Sequence, residues 1–571
     1  AMPLTPNGKV DVKALPAPAK QLRKKKIVPR NRIEERLLKI WQEVLAVQDL
    51  GLEDSFFASG GHSLKAIKLV SRIYQQLQIK ISIQELFQYP TIRELAELIK
   101  QKKKKAYFRI EPAEKREYYP ITSAQKRLYA IEGFENTGSS YHMPILLRIQ
   151  GEIDLERLRI AFQQLLARHE ILRTSFHLVD EQVRQKIHPY VELDFQVIDS
   201  IKEEHVEDFI VTLIQQPFDL RKAPLFRVRF LQIQPEESLL LIDFHHLIAD
   251  GVSTHRLLQE LGQLYQQKDL PAVKLQYKDY AVWQQQFEQT AQYRKQEDYW
   301  KQQFAGSLPI LDLPTDYPRP AVQRFDGDLY TFQLEQELAD RCKQLAHQQQ
   351  VTLYTLFLAV YNVLLMKYTE QNDIIVGLPT AGRPHVDLEN VVGMFVNTLP
   401  IRNFPTADKA FVDFLTEVKK QVWAALDHVE YPLEELIKQI ELKRDLSRNP
   451  LFQTVFVFQN MEFSLPNFDS ASIKMVDLPW KTAKFDLTWI IVEDMENETI
   501  SFSIEYCTNL FRASTIQRMA KHFVWFLEQI VMRPTIQLGK LELVTPAEKQ
   551  QLLEGFNQTQ MDYPKTATIH Q

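Results

Sequence analysis

Residues 239–253 read LLLIDFHHLIADGVS, and the reading of this stretch decides how the rest of the chain is taken. Four apolar residues lead into Asp243, Phe244, His245 and His246, and Asp250-Gly251 then ends the run. That is the pattern of a buried strand emptying into a tight turn. The two-residue repeat of a strand puts Asp243 and His245 on one face and Phe244 and His246 on the other. The adjacent histidines therefore serve different surroundings, one facing a cavity as a base while its neighbour is held in the packing. A single histidine on an apolar strand is ordinarily a hydrogen-bonded core residue. A pair followed by Asp250 and Gly251 departs from that pattern. The acid can orient a turn and balance charge, and the glycine lets a neighbour approach the backbone closely.

Outward from this stretch the patterning is α/β. Alternation over residues 145–150 and 225–233 predicts strands, and helical spacing covers residues 154–168 and 254–266. Further on, two helices are expected over residues 335–349 and 352–368, the second strongly apolar, followed by a buried strand over 373–379. Near the other end, Ile33, Leu37, Ile40, Trp41, Val44 and Leu45 recur at helical spacing, as do Leu64, Ile67, Val70 and Ile73. Shorter helical pieces at 83–87 and 91–99 complete a small bundle of about four helices. Ser63 opens its second helix after Gly60-Gly61-His62. A serine there is an N-cap. It also offers a hydroxyl where the helix dipole and free N–H groups favour an attached phosphate.

The 571 residues suffice for roughly three or four compact units. Net charge is −4, from 69 basic and 73 acidic residues, so no broad nucleic-acid or anionic-membrane surface is implied. Two cysteines, Cys342 and Cys507, make neither a disulfide framework nor a metal cluster, and a reducing cytosol is the natural setting. No apolar run approaches about 20 residues, so no membrane span is expected. Adjacent strand histidines point apart with no third ligand spaced nearby, which argues against a metal site. Oligomerisation is not signalled, and a monomer is the expectation.

The H-H-x-x-x-D-G pattern of His245, His246, Asp250 and Gly251 resembles the signature of condensation domains of non-ribosomal peptide synthetases. Six further stretches resemble motifs of that family in order: PITSAQKRLY at 120–129, HEILRTSF at 169–176, YKDYAVWQ at 277–284, AGRP at 381–384 with VGMFVNTLP at 392–400, HVEYPLEEL at 428–436 and RNPLFQ at 448–453. DSFFASGGHSLKA at 54–66 resembles the attachment motif of peptidyl carrier domains. LTPNGKVDVKALP at 4–16 resembles the last motif of an adenylation domain, with Lys9 at its lysine. Residues 556–571 look like the linker opening another adenylation domain.

The resemblance implies a multidomain chain: a small all-α four-helix carrier bundle, then an α/β condensation domain of two chloramphenicol-acetyltransferase-like lobes in a V. The expected divisions are an adenylation remnant at 1–16, a linker at 17–30, the carrier at 31–101 and a linker at 102–115. The lobes follow at 116–285 and 286–553, with a linker at 554–571. The lysine-rich run at 100–106 reads as a solvated tether. Ser63 is implied to carry 4′-phosphopantetheine, installed by a phosphopantetheinyl transferase. The reaction implied is amide formation between an aminoacyl or peptidyl thioester on this carrier and the aminoacyl thioester of a downstream carrier. Adenylation domains on both sides would be partners, and the motifs lean toward an L-configured donor.

Within the site, the resemblance assigns His246 to the attacking amine, as a base or as a hydrogen-bonding positioner. It makes His245 a supporting residue. Asp250 is expected to form a buried ion pair with one of Arg127, Arg173 and Arg383. Gly251 gives the substrate arm room and an N–H toward the oxyanion, and Asn397 lines the channel. Rivals are an epimerisation domain, a heterocyclising variant and a non-catalytic docking platform. The arginine-proline and Asn397-Thr398-Leu399-Pro400 segments, the two histidines and the intact Asp250 and Gly251 weigh against these in turn.

Overall fold

In the computed structural model the described residues are 29–558, apart from 62, 105–107, 133–139, 200–202, 384, 441, 443–444, 460–463, 479–481 and 495–496. Lys9, the first linker up to residue 28 and the C-terminal stretch from 559 lie outside them. The chain divides into two compact units, the first up to residue 107 and the second from residue 108.

The first unit is built from helices Arg32–Leu45, Ser63–Leu77, Ile83–Gln88 and Ile92–Gln101. Each boundary has a local cause. Asn31 accepts from the Ile33 and Glu34 amides, and Ser82 and Thr91 form reciprocal capping boxes with Glu85 and Glu94. The apolar stripes read from the sequence turn inward, so that Leu37, Ile40, Trp41, Leu69, Ile73, Leu86 and Leu95 form one core. Phe56 packs edge-on against Trp41, with 5.2 Å between ring centres. Gly61 sits so close to Phe56 that a Cβ there would lie 2.4 Å from its ring.

In the second unit a five-stranded sheet runs in the order Ser472–Met475, His142–Gln150, Glu237–His245, Phe226–Gln234, Phe195–Ile198. Helices Leu155–Arg168 and Gly251–Tyr265 contribute Leu158, Phe162, Leu165, Leu257, Leu258 and Leu261 to its core. A six-stranded sheet follows, ordered Asn397–Asn403, Ile374–Thr380, Thr454–Gln459, Leu487–Asp494, Thr499–Cys507, Gly327–Gln333. Helix Leu353–Thr369 is buried along nearly its whole length, which explains its lack of a polar face. Among the described residues no single helix is long and apolar enough to cross a membrane.

Three features differ from the sequence reading. The stretch taken as the end of a solvated linker is anchored: Ile110 is buried in the core of the first sheet, and the Ala113 amide donates to Asp279 at 2.8 Å. Ile110 is a single apolar anchor a few residues beyond a run of lysines, too short a signal to mark a packed segment. The lobes are also not two contiguous halves. Strand Ser472–Met475 pairs antiparallel with His142–Gln150, and Leu388, Val392 and Phe395 join the first core. Alternation reveals a strand but not the sheet it joins. Finally, the strand does empty into a tight turn at 246–248, closed by the Ile248 amide on the His245 carbonyl at 3.0 Å, but the helix expected from 254 begins at Gly251, with Asp250 as its N-cap.

Candidate active site

Strand Glu237–His245 lies between two antiparallel neighbours, with His142 opposite His245 and Arg227 opposite Asp243. Its two faces are chemically distinct. On one, Asp243 Oδ2 accepts from Arg227 Nη2 at 2.8 Å and lies 3.1 Å from His142 Nδ1. His245 on the same side is wholly buried, and its Nδ1 accepts the Leu247 amide at 3.1 Å. That bond leaves the proton on Nε2, 3.7 Å from the Glu132 carboxylate. Burial depresses the basicity of His245, although Glu132 pulls the other way. Its hydrogen bonds hold the turn that presents the next residue.

His246 faces the other way. Its backbone N–H donates to the Tyr141 carbonyl at 2.9 Å. Its Nδ1 lies 2.9 Å from the Ala249 carbonyl, which can only accept, so Nδ1 carries the proton and Nε2 presents the lone pair. The ring keeps partial exposure. Burial and then the charge of Lys484 push its pKa down to about 3, against the Ala249 carbonyl and Asp250. At neutral pH the group is therefore an uncharged imidazole able to accept a proton or a hydrogen bond.

Asp250 resolves the choice left open among three arginines. Its Oδ2 is 2.8 Å from Arg383 Nη1 and its Oδ1 3.0 Å from Nη2, a bidentate pair. The side chains are 0% and 6% exposed. Oδ1 also accepts the Ser253 amide at 2.8 Å, and Oδ2 accepts the Phe395 amide at 3.0 Å. Burial alone would raise the pKa of this carboxyl; Arg383 and Ser253 hold it below the usual range. Arg127 pairs instead with Glu434 at 3.3 Å, and Arg173 donates to the His188 carbonyl, 4.0 Å from Glu170.

Ser253 and Gly393 escaped the sequence reading. The Ser253 hydroxyl donates to the Gly393 carbonyl at 2.8 Å and accepts from Arg383 Nη2 at 2.8 Å. Gly393 admits no side chain, since a Cβ would lie 1.9 Å from the Tyr277 ring. The signal was available in part: Ser253 follows Asp250 by the three residues of a cap, and Gly393 lies in a quoted motif. Asn397 is partly exposed, and its side-chain amide is tied to the segment 429–433. Its Nδ2 donates to the Val429 and Tyr431 carbonyls at 3.1 and 3.0 Å, and its Oδ1 accepts the Leu433 amide at 3.3 Å. With its amide committed to that segment, Asn397 acts as a brace.

Gly251 is informative because the fold does not require it. It is exposed, its φ is outside the left-handed region, and a Cβ there would meet nothing within 4 Å. Ser63 is the first residue of its helix. Among the described residues no group of three His, Cys, Asp or Glu side chains is placed to hold a metal ion. Cys342 and Cys507 are both buried thiols, and burial pushes Cys342 up to about 12.

The condensation domain family model matches residues 115–553, and the phosphopantetheine attachment site model matches residues 35–99. Over its whole length the chain is 47% identical to tyrocidine synthase 3 of Brevibacillus parabrevis and 43% identical to gramicidin S synthase 2 of Brevibacillus brevis. It spans only 9% and 13% of those proteins. Among solved structures, the X-domain from teicoplanin biosynthesis is similar with a TM-score of 0.71 and 24% identity, over 76% of this chain and 100% of that one. The first condensation domain of the calcium-dependent antibiotic synthetase, in complex with a substrate analogue, is similar with a TM-score of 0.61 and 17% identity, over 75% and 99%. The structural likeness is one of fold, and it agrees with the chloramphenicol-acetyltransferase-like architecture that the sequence implied. On the match that covers most of its length, the chain belongs to the condensation domain family and carries a phosphopantetheine attachment domain ahead of it.

Proposed function

We propose that the second unit joins an acyl thioester to the amine of an aminoacyl thioester, with His246 as the residue that receives the amine. The observation that carries this reading is the arrangement of His246: Nδ1 is held by the Ala249 carbonyl at 2.9 Å, the ring is neutral, and Nε2 keeps its lone pair. The amine nitrogen bonds to the acyl carbon and the carbon–sulfur bond breaks. The proton lost by the amine balances the one gained by the departing thiolate. His246 Nε2 accepts a hydrogen bond from the amine, which orients its lone pair, and takes the proton as the amide forms. Asp250 and Arg383 hold the helix start and the Phe395 segment together, so the His246 turn is rigid. Gly251 leaves open space beside the reacting atoms, with its N–H near the developing oxyanion.

Ser63 is the proposed attachment residue for 4′-phosphopantetheine. The loop before it suits that role: Gly60 has φ +90 with open space around its Cβ position, Gly61 is locked on Phe56, and a helix begins at Ser63. When attached, the group supplies a thiol on a long arm. The relatives are, by name, a tyrocidine synthase and a gramicidin S synthase. By that likeness the partners are adenylation domains, a downstream carrier and a phosphopantetheinyl transferase, and the donor is L-configured.

Incubation with a phosphopantetheinyl transferase and coenzyme A, read by intact mass, is expected to add one phosphopantetheine to the wild type and none to Ser63→Ala. Loading with L- or D-aminoacyl donors and supplying a loaded downstream carrier should then yield dipeptide, faster from the L donor. No dipeptide from either donor would remove the assignment.

A further inference from the structure

Lys484 comes from the second sheet's side of the molecule, immediately before strand Leu487–Asp494. Its position is tightly determined. The Lys484 carbonyl accepts from both Gln323 Nε2 and Asn449 Nδ2 at 3.0 Å. Ala483 beside it is wholly buried, and Asp486 is paired with Arg319. From this clamped backbone the side chain reaches the first sheet, where Nζ lies 5.1 Å from the centre of the Tyr141 ring. Tyr141 is the residue whose carbonyl receives the His246 amide.

Two arginines of this region have carboxylate partners: Arg383 has Asp250 and Arg127 has Glu434. Lys484 has no carboxylate at ion-pair distance among the described residues. Glu505, the acid whose charge acts on it, accepts the Thr488 hydroxyl at 3.3 Å and is held by the backbone amide of Lys484. Lys484 is partly buried, an ammonium so placed without an ion-pair partner is costly, and the fold bears that cost beside Tyr141.

We propose that Lys484 is an electrostatic positioning residue of the amide-forming site, a cation on the ring of Tyr141, the residue that holds the His246 backbone, and that it disfavours a second positive charge on the imidazole or on the attacking amine. This rests on the amide-forming reading above. A fixed positive charge in a partly desolvated site penalises any second charge of the same sign, so it removes the unreactive ammonium form of the nucleophile. The charged groups acting on this pair are Arg127, Glu505 and Asp250, and Glu132 acts with Arg127 on Tyr141. The lowered basicity of His246, for which Lys484 is the second cause after burial, accords with the placement.

The test compares wild type, Lys484→Met and Lys484→Arg as the full chain. One readout is the pH profile of single-turnover dipeptide formation. The other is the titration of the His246 Cε1 signal in ¹³C-histidine-labelled protein, assigned with His246→Gln, which requires no turnover. In Lys484→Met the acid limb should move up by about one pH unit, the scale of one charge interaction in such a site. His246 should begin to protonate at a higher pH, and Lys484→Arg should keep the wild-type curves. Lys484→Gln, with a polar tip for Tyr141, carries the same expectation if Lys484→Met folds poorly. Superimposable histidine titrations in wild type and the neutral variants would overturn the proposal, whether or not dipeptide forms. A wild type that forms no dipeptide but shows the titration shift would instead locate the failure in the amide-forming reading.

Discussion

His245 and His246 are neighbours in sequence, yet they occupy opposite chemical worlds. Behind the strand, His245 has no exposure; His142, Phe218 and Glu132 lie around it, and Arg227 pairs with the neighbouring Asp243. In front, the His246 ring is held by one carbonyl, the residue keeps partial exposure, and Gly251 follows it in the chain, a glycine that the fold does not need. Both imidazoles are held neutral by burial. What separates them is whether the lone pair is used: His245 spends it on the Leu247 amide, while His246 keeps it. The difference teaches that residue type sets what chemistry is available, and that hydrogen-bond bookkeeping decides which copy performs it.

The sharpest way to break this comparison is to remove each histidine in turn. His246→Ala should lower single-turnover condensation by about 10²–10⁴-fold, the range for a lost acid–base group, with little change in melting temperature. His245→Leu should do the reverse in emphasis. It strands a buried amide and destabilises by about 1–3 kcal/mol in denaturant unfolding, with a smaller loss of rate. Equal rate losses at the two positions would remove the distinction.

Next in size is Arg383→Ala, which leaves Asp250 buried without its partner. A loss of about 3–5 kcal/mol is expected from urea unfolding of the second unit. The comparable change at Arg127, whose side chain is 30% exposed, should cost far less, about 0–1 kcal/mol.

The pH dependence of stability probes both faces together. Each histidine has a folded pKa below its ordinary value, so the unfolded chain binds the proton first. Their contribution is intact above about pH 6.5 and declines below it, by up to about 1.4 kcal/mol per pH unit for each group. For His246 that decline extends down to about pH 3. Urea unfolding at pH 7.5 and 5.5 should show the loss, and His246→Ala should shrink it. The smallest structural effect belongs to Gly251→Ala. With open space around its Cβ and an ordinary helical backbone, stability should stay level or rise by up to about 1 kcal/mol, while condensation slows.

Much of this was legible in the sequence because it depends on short-range physics. The four carrier helices follow from apolar stripes at helical spacing and from caps such as Ser82 with Glu85, all within a few residues of one another. The period-two alternation around His245 and His246 likewise assigned them to opposite faces, because successive strand residues must point apart. Asp250 was readable as an acid needing a cation. The helix start was placed three residues late because an aspartate-glycine pair signals a turn as readily as a cap.

Only the tertiary structure decided which cation Asp250 meets, since Arg127, Arg173 and Arg383 carry the same group and the chosen one lies 133 residues away. It alone placed Ser472–Met475 in the first sheet, made Asn397 a brace and set Lys484 over Tyr141. The physical reason is common to all four. Local periodicity reports which side chains must be buried, whereas the partner they meet is settled by how whole sheets and loops pack, and no spacing along the chain records that distance.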